Sequence, residues 1–230
     1  MSVYLLEAAP GLLNNMDQAS GEKVATYLRS MGVSVTTGTS VKSFDGRTVT
    51  LSDGQALQTQ CLIWAAGVKG AGIEGLDKSL VLPNGRIKTD SHNRVENEDC
   101  IFAIGDIACI TDLQYPKGHP QVAPAAIQQA KLLAVNLENL VGNKPLKTFQ
   151  YKDKGSMATV GRHRAVVELG KIKIGGFIEW IIWLLVHLMS IVGIKNRLLV
   201  LINWVWQYFT FDQSLRIILS PKERKSITQD

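Results

Sequence analysis

The sequence predicts an α/β fold followed by a helical tail that is both apolar and basic. Two short apolar runs end in a carboxylate, at Glu7 and at Asp106, as strands of nucleotide-binding α/β domains do. The tail differs from the rest, because residues 171–230 hold four of the five tryptophans and +4 of the net charge of +5. This composition favours an anionic membrane surface over nucleic acid as the partner, because proteins that bind nucleic acid rarely need long apolar runs.

The first predicted unit is a strand, a helix and a second strand. Residues 3–6 form an apolar strand that ends at Glu7. A helix over about residues 17–31 begins at an aspartate suited to capping and stops before Gly32. Residues 33–36 then alternate as a strand does.

Glu7 is a candidate binding residue because of its place in this unit. A carboxylate at such a strand tip accepts hydrogen bonds from the hydroxyls of an adenosine ribose and repels a 2′-phosphate. A solvated residue at a strand end is the alternative. The glycine-rich turn that holds the pyrophosphate would lie about twenty residues before Glu7, so we expect the sequence to be part of a longer protein.

A hairpin and a second apolar strand are predicted next. Residues 47–51 lead into a Ser-Asp-Gly turn, and residues 61–64 form an apolar run that ends at Ala65, Ala66 and Gly67. Small residues at the end of a strand leave room for a flat ring or a pyrophosphate. Close packing of the chain explains them equally well.

The run of residues 101–104 predicts a buried strand that ends at Gly105 and Asp106. Glycine allows the backbone to turn closely against a ligand, and the Asp106 carboxylate can accept hydrogen bonds from hydroxyl groups such as those of a ribityl chain. A Gly-Asp pair is also common in ordinary turns.

A helix is predicted from about Pro120 to Val141, stopping at Gly142. Proline is tolerated in the first turn, and the alanines there allow something flat to lie against the helix start. The expected buried stripe consists of Leu133, Leu137, Leu140 and Val141, whereas Gln128 and Gln129 are expected to be solvated.

The sequence gives little support for disulfide exchange, a metal site or a Ser/His/Asp triad. Cys61, Cys100 and Cys109 form no C-x-x-C pair and are expected to be buried, reduced thiols. Residues 149–174 predict short strands and turns around a basic cluster at residues 162–164. No spacing typical of a metal site or of a Ser/His/Asp triad is present.

The tail predicts two amphipathic helices. Residues 176–194 include fourteen apolar residues in nineteen, about 28 Å of helix, and their polar exceptions share one side. Residues 198–211 are too few to span a bilayer. Their polar positions Asn203, Gln207 and Thr210 share one side with the flanking Asn196 and Ser214. We expect an interfacial anchor; a buried hairpin, a homodimer contact and a true span are the alternatives. The proposed anchor residues are Trp180, Trp183, Lys195, Arg197, Trp204 and Trp206.

Taken together, these segments resemble the C-terminal half of the type II, non-electrogenic NADH:quinone oxidoreductases. The resemblance covers essentially the whole chain in the right order. It rests on Leu5-Leu6-Glu7 with Gly11-Leu12-Leu13, on Ile63 to Val68, on Ile101 to Asp106, on Val122 to Gln129, on Phe149-Gln150-Tyr151, on Gly155 to Arg162, and on the tryptophan-rich tail.

The resemblance implies an incomplete flavoprotein fold with two dinucleotide-binding domains of the disulfide-reductase type, without the redox disulfide, followed by an amphipathic membrane anchor. The implied parts are the C-terminal portion of an NADH-binding domain at 1–75, that of an FAD-binding domain at 76–174, and the anchor at 175–230. The enzyme would lie on the cytoplasmic face of the cell membrane as a peripheral, monotopic protein. A homodimer is a further expectation.

The family also implies roles for particular residues. Glu7 would hold the adenosine ribose of NADH, while Ala66 and Gly67 would line a cofactor site. Gly105 and Asp106 would bind the ribityl and pyrophosphate region of FAD. Ala126 and Ile127 would lie against the flavin, and Gln128 and Pro124 would contact the quinone. Pro124 stands where the family's Ala-Gln-x-Ala-x-Gln signature usually has its first glutamine.

No side chain is expected to act as a general acid or base, since the cofactor carries the redox chemistry. Two rival functions remain: a soluble flavin-dependent reductase with another acceptor, and an inactive membrane-associated module. We expect the isolated chain to hold little FAD and to oxidise no NADH.

Overall fold

The structure is a computed structural model that describes residues 2–170 and 172–210, with no side chains described at 172–174. Ten strands and four α-helices are assigned in these residues. In chain order they are β1 (Val3–Glu7), α1 (Gln18–Ser30), β2 (Val33–Thr37), β3 (Val41–Phe44), β4 (Thr48–Leu51), β5 (Ala56–Gln58), β6 (Ile87–Thr89), β7 (Ala108–Ile110), α2 (Ala123–Val141), β8 (Ser156–Thr159), β9 (Ala165–Leu169), β10 (Ile172–Gly176), α3 (Phe177–Ser190) and α4 (Ile194–Thr210).

The predicted strand–helix–strand unit is confirmed. β1 and β2 pair in parallel from Val3 opposite Val33 to Glu7 opposite Thr37, with α1 as the crossover. The Oδ1 atom of Asp17 accepts a hydrogen bond from the Ala19 N–H at 3.0 Å and so caps the helix.

The predicted hairpin is also present, as β4 and β5, and β3 extends it to a three-stranded sheet in the order β3-β4-β5. The segment after it departs from the prediction. Residues 61–64 form no strand, and Ile63 and Trp64 are 84% and 67% exposed. A strand needs a neighbour for its backbone groups, and the described residues supply none here. Cys61 and Cys100 are exposed and only Cys109 is buried, so the expectation for two of the three thiols is wrong.

The strand expected at residues 101–104 is replaced by other structure. Ile101 is exposed, and Phe102 makes a single antiparallel bridge with Arg94. The regular strand, β7, comes after Asp106 and pairs in parallel with β6. The left-handed backbone of Gly105, with φ at 73°, turns the chain before this strand begins. A core cluster beneath these elements contains Leu80, Ile87, Val95, Ala103 and Ala108.

Helix α2 ends at Gly142 as predicted, but its buried face is different. Leu137, Leu140 and Val141 are exposed, so the expected leucine stripe is wrong for three of its four members. The residues that α2 buries are Ala125, Gln129 and Asn136. The inward face is therefore occupied by side-chain amides that bind backbone groups.

The C-terminal part forms an antiparallel sheet in the order β10-β9-β8, followed by helices α3 and α4. Short strands were predicted here, and the structure agrees. Val24 of α1 packs with Val160 and Val166 in a second core cluster. Across residues 2–170 and 172–210, no helix combines the length and the apolar character that a bilayer crossing requires. Ser214 and Phe211 of the predicted tail lie outside the described residues.

The described residues fall into two units. One comprises those within 1–43, 50–55 and 156–230, and the other comprises those within 44–49 and 56–155. The first contains β1, α1, β2 and the C-terminal sheet with its two helices. The second contains β6, β7 and α2. The domain boundaries inferred from the sequence remain predictions.

Candidate functional site

The Gly105–Asp106 turn and the start of α2 lie against each other in the second unit. Gly105–Ile107 forms one 3₁₀ turn, on which Asp106 is exposed. A Cβ atom added to Gly105 would lie 3.4 Å from the Cβ atom of Ala126. The structure thus brings together two of the predicted cofactor segments, which are twenty residues apart in the sequence.

Two glutamine side chains hold this turn. The Gly105 N–H donates to the Oε1 atom of Gln129 at 2.6 Å, and the Nε2 atom of Gln121 donates to the Asp106 carbonyl oxygen at 2.9 Å. Gln129 is 2% exposed, so the expectation that it is solvated is wrong. Its spacing of four residues from Ala125 places both on one helix face, which is the signal in the sequence that could have indicated burial.

Gln128 and Pro124, the predicted quinone contacts, lie on the first two turns of α2. The Gln128 amide makes two hydrogen bonds of 3.0 Å with the backbone of Lys152, one donated by Nε2 and one accepted by Oε1. The side chain therefore fastens the segment at residue 152 to the helix. Ile127, the expected flavin neighbour beside it, is exposed.

Glu7 lies at the carboxyl end of β1 in the first unit. Its Oε1 atom accepts a hydrogen bond from the Ala9 N–H at 2.9 Å, and its carbonyl oxygen accepts from the Thr39 N–H at 3.1 Å. The carboxylate is thereby held at the carboxyl edge of a parallel strand pair, which is the edge where α/β sheets bind ligands.

Ala66 and Gly67 lie in an exposed segment of the second unit that has no regular secondary structure. Gly67 has a φ of 90°, a conformation that glycine adopts without strain. Just beyond it the Gly70 N–H donates to the Asn84 carbonyl oxygen at 2.9 Å, which ties this segment to the loop before β6.

A polar cluster around the buried His119 precedes α2 and was not anticipated from the sequence. His119 is 1% exposed, and its Nε2 atom lies 2.9 Å from the Oδ2 atom of Asp112. The Tyr115 N–H donates to Asp112 at 2.6 Å. This bond, together with the hydrogen bond and electrostatic interaction with His119, holds the pKa of Asp112 below its ordinary value, against the opposing effect of desolvation. Burial raises the pKa of Tyr115 and of Tyr151.

The proposed anchor helices present a broad apolar surface. Trp206 is 58% exposed, whereas Trp180 stacks on Phe177 with ring centroids 5.8 Å apart. Lys195 is exposed. Arg197 instead donates from Nε to the Ile191 carbonyl oxygen at 2.8 Å and so caps the end of α3. Trp183 and Trp204 are half-buried, and their ring centroids lie 6.3 Å apart.

Comparison with known families identifies the fold. The sequence profile of the pyridine nucleotide-disulphide oxidoreductases matches residues 1–130. The chain belongs to this family. A second profile, that of the NDH2 C-terminal domain, matches residues 154–211 of this family member.

Relatives within the family are similar over most of the chain. The type II NADH:quinone oxidoreductase Ndh of Mycobacterium tuberculosis is 36% identical over 217 residues, which are 88% of this chain and 45% of that protein. The mitochondrial internal alternative NAD(P)H-ubiquinone oxidoreductase A1 of Arabidopsis thaliana is 33% identical over 224 residues, 88% of this chain and 43% of that protein. The chain thus spans less than half the length of these curated relatives.

A solved structure shows the same fold. NDH2 from Plasmodium falciparum, in complex with NADH, superimposes with a TM-score of 0.83 and 18% identity, covering 94% of this chain and 60% of that chain. The predicted α/β fold class of this family member is therefore confirmed.

Proposed function

We propose that a protein containing this chain is a non-proton-pumping NADH:quinone oxidoreductase, in which a hydride passes from NADH to FAD and two electrons then pass to a membrane quinone. The observation that carries the proposal is the packing of the Gly105–Asp106 turn against the alanine-rich start of α2. The similarity to two Mycobacterium tuberculosis proteins named type II NADH:quinone oxidoreductases, at 36% and 34% identity, supports the same chemistry.

The residues present fit part of an FAD site. Gly105 offers a backbone without a side chain, Asp106 offers an exposed carboxylate, and Ala126 is small enough for a flat ring to approach. The bound flavin supplies the acceptance of hydride and the release of electrons. The residues of this chain would bind and orient it: the Asp106 carboxylate would accept from hydroxyl groups of the cofactor, and Ile127 would lie against its ring.

Glu7 fits the recognition of NADH. Its carboxylate is held at the strand end by the Ala9 N–H and can accept from the two ribose hydroxyls while repelling a 2′-phosphate. Ala66 and Gly67 add a backbone surface without large side chains.

The quinone would approach near Pro124 and Gln128. Proline has no side-chain hydrogen-bond donor, and both bonds of the Gln128 amide go to Lys152. We therefore propose that Gln128 shapes the quinone site by holding the segment at residue 152, and that the quinone ring is held mainly by apolar contact.

Helices α3 and α4 would bind the lipid surface from the cytoplasmic side. Ile178, Leu185, Ile202, Trp206 and Phe209 are all more than half exposed, and such a face is stabilised when it enters the interfacial region of a bilayer. A second copy of the chain is the other partner that this face would suit.

A chimera tests the proposed activity. Residues 1–230 replace the matching segment of the Mycobacterium tuberculosis relative, so that the relative supplies the part of its own length that lies outside the match. We expect the chimera to bind FAD and to couple NADH oxidation to the reduction of a soluble quinone, with little activity towards ferredoxin. The chain alone is expected to be colourless and inactive.

Two results would count against the proposal. One is a folded, FAD-loaded chimera that reduces ferredoxin but no quinone. The other is a stoichiometric flavin spectrum from the chain alone, because that would show that these residues form a complete flavin site.

A further inference from the structure

The turn that carries Asp106 is held from both sides by side-chain amides. Gln129 accepts a hydrogen bond from the Gly105 N–H at 2.6 Å. Gln121 donates one to the carbonyl oxygen of Asp106 at 2.9 Å. Both glutamines belong to α2 or the residues just before it. The two bonds connect the carboxylate-bearing turn to the start of this helix.

The two bonds restrict a backbone that glycine would otherwise leave mobile. Gly105 has a φ of 73°, and glycine visits many other conformations at little cost. The Gln129 amide is almost fully buried, so a movement of Gly105 would leave a buried acceptor without its donor, which is unfavourable. The turn is thereby kept in the one conformation that satisfies Gln129.

We propose that Gln129, assisted by Gln121, is a positioning residue that sets the orientation of the Asp106 carboxylate for binding the flavin. The inference rests on the proposed function, because it assigns Asp106 to the FAD site. Gln129 itself contacts the turn and acts through it. Replacing its amide should loosen the turn and weaken FAD binding without altering the Asp106 side chain.

Asn136 provides a matched control on the same helix. It is also fully buried, and its amide makes two hydrogen bonds of 2.9 Å with the backbone of Lys147. Its loss removes a comparable buried interaction that has no contact with the Asp106 turn. Substitution of either Gln129 or Asn136 should therefore lower the stability of the protein, but only substitution of Gln129 should loosen the Asp106 turn.

The first experiment measures amide hydrogen exchange, residue by residue, on the 230-residue chain. In Gln129→Met, which keeps the length of the side chain but removes the acceptor, we expect the Gly105 N–H to exchange about tenfold faster. Gln129→Glu should restore slow exchange, since a carboxyl oxygen still accepts. Asn136→Leu should accelerate exchange of the Lys147 N–H and leave exchange of the Gly105 N–H unchanged. Equal acceleration of Gly105 in both variants, or none in Gln129→Met, would overturn the inference.

The second experiment measures FAD dissociation constants in the chimera. We expect about tenfold weaker binding in Gln129→Met, recovery in Gln129→Glu, and unchanged binding in Asn136→Leu. Unchanged affinity in Gln129→Met would refute the positioning role. A parent chimera that folds but binds no FAD would refute the proposed function instead, while hydrogen exchange still decides whether Gln129 holds the turn.

Gln121→Ala covers the case in which Gln129→Met fails to fold. Gln121 is only half-buried, so its truncation should be tolerated. We expect faster exchange at the Asp106 turn and FAD binding weakened by about threefold. Wild-type exchange and affinity in this variant would contradict the proposed role of Gln121.

Discussion

At the scale of single residues, a few short contacts decide how the loops of this protein lie. The loop at residue 70 crosses the loop at residue 85 backbone to backbone, since a Cβ atom on Gly70 would overlap the carbonyl oxygen of Gly85. Such a crossing is possible only because neither position has a side chain.

Gly70→Ala should therefore destabilise the protein by about 1–3 kcal/mol, because one of the two loops must move. Gly72→Ala is the matched control, since a Cβ atom there meets no atom within 4 Å, and its effect should stay within about 0.5 kcal/mol. The measurement is urea unfolding followed by circular dichroism. Equal midpoints for the two variants would show that the loops do not cross as described.

Asp112 makes stability depend on pH. Because its pKa is lower in the folded protein than its ordinary value of 3.8, the ionised carboxylate stabilises the fold above that value, and this contribution is lost as the pH falls through the lowered pKa. The free energy of unfolding of Asp112→Asn should thus differ most from that of the wild type near neutral pH.

We expect this difference to shrink as the pH falls below 3.8, as measured by urea midpoints across the acidic range. Glu74→Gln removes a carboxylate at an exposed position and serves as the control. A difference for Asp112→Asn that stays constant with pH would exclude the proposed stabilisation by its charge.

At the scale of elements, α2 shows how a helix can be fastened by amides in place of leucines. Gln129 binds the Gly105 turn, Asn136 binds Lys147, and Gln128 binds Lys152. Lys147 and Lys152 lie in segments without regular structure, and Gly105 begins a single 3₁₀ turn. The apolar residues near the end of the helix remain exposed.

Substitution of a buried amide in α2 should therefore destabilise the protein more than substitution of an exposed apolar residue near its C-terminal end. Asn136→Leu should cost about 1–3 kcal/mol, because two Lys147 backbone groups lose their partner. Val141→Ser, at a position that is 90% exposed, should change the free energy of unfolding by no more than about 0.5 kcal/mol. Thermal unfolding of both variants measures this. A larger destabilisation by Val141→Ser than by Asn136→Leu would show that the helix is held by its apolar residues after all.

At the scale of the whole molecule, the helical tail carries many exposed apolar side chains, among them Ile178, Leu185, Ile202, Trp206 and Phe209. Leu201, Ile202, Val205, Trp206, Phe209 and Thr210 line a shallow depression along α4. The Arg197 guanidinium donates to the carbonyl oxygens of Ile191 and Met189, and so caps α3. These contacts join the two helices, and we propose that their exposed apolar face binds a lipid surface.

Ile202→Glu should weaken binding to anionic phospholipid vesicles by about tenfold or more, because it places a charge in the apolar interface. Ser34→Glu, at an exposed position on β2, adds the same charge elsewhere and should have little effect. Vesicle sedimentation gives the readout. If Ile202→Glu converts a dimer to a monomer and leaves vesicle binding intact, the face is a contact between copies of this chain.

Local patterns in the chain were sufficient to predict the parallel strand pair, its crossover helix, the hairpin and the two tail helices. Each has a signal within a few neighbouring residues, such as the Asp17 cap, the turn after β4 or the spacing of apolar side chains in α3. Glu7 and Asp106 were proposed as binding residues for the same reason, because each stands at the end of an apolar run, and their roles remain predictions.

Long-range packing decided what local patterns could not predict. Whether residues 61–64 become a strand depends on a neighbouring strand, and whether Gln129 is solvated depends on a backbone N–H twenty-four residues away. Neither partner can be read from the local residues. The amphipathic stripe of α2 was misread because leucine is usually buried, whereas here buried amides provide the connections. Tertiary contacts thus define how Asp106 is held, and the sequence pattern predicts only that it ends a run.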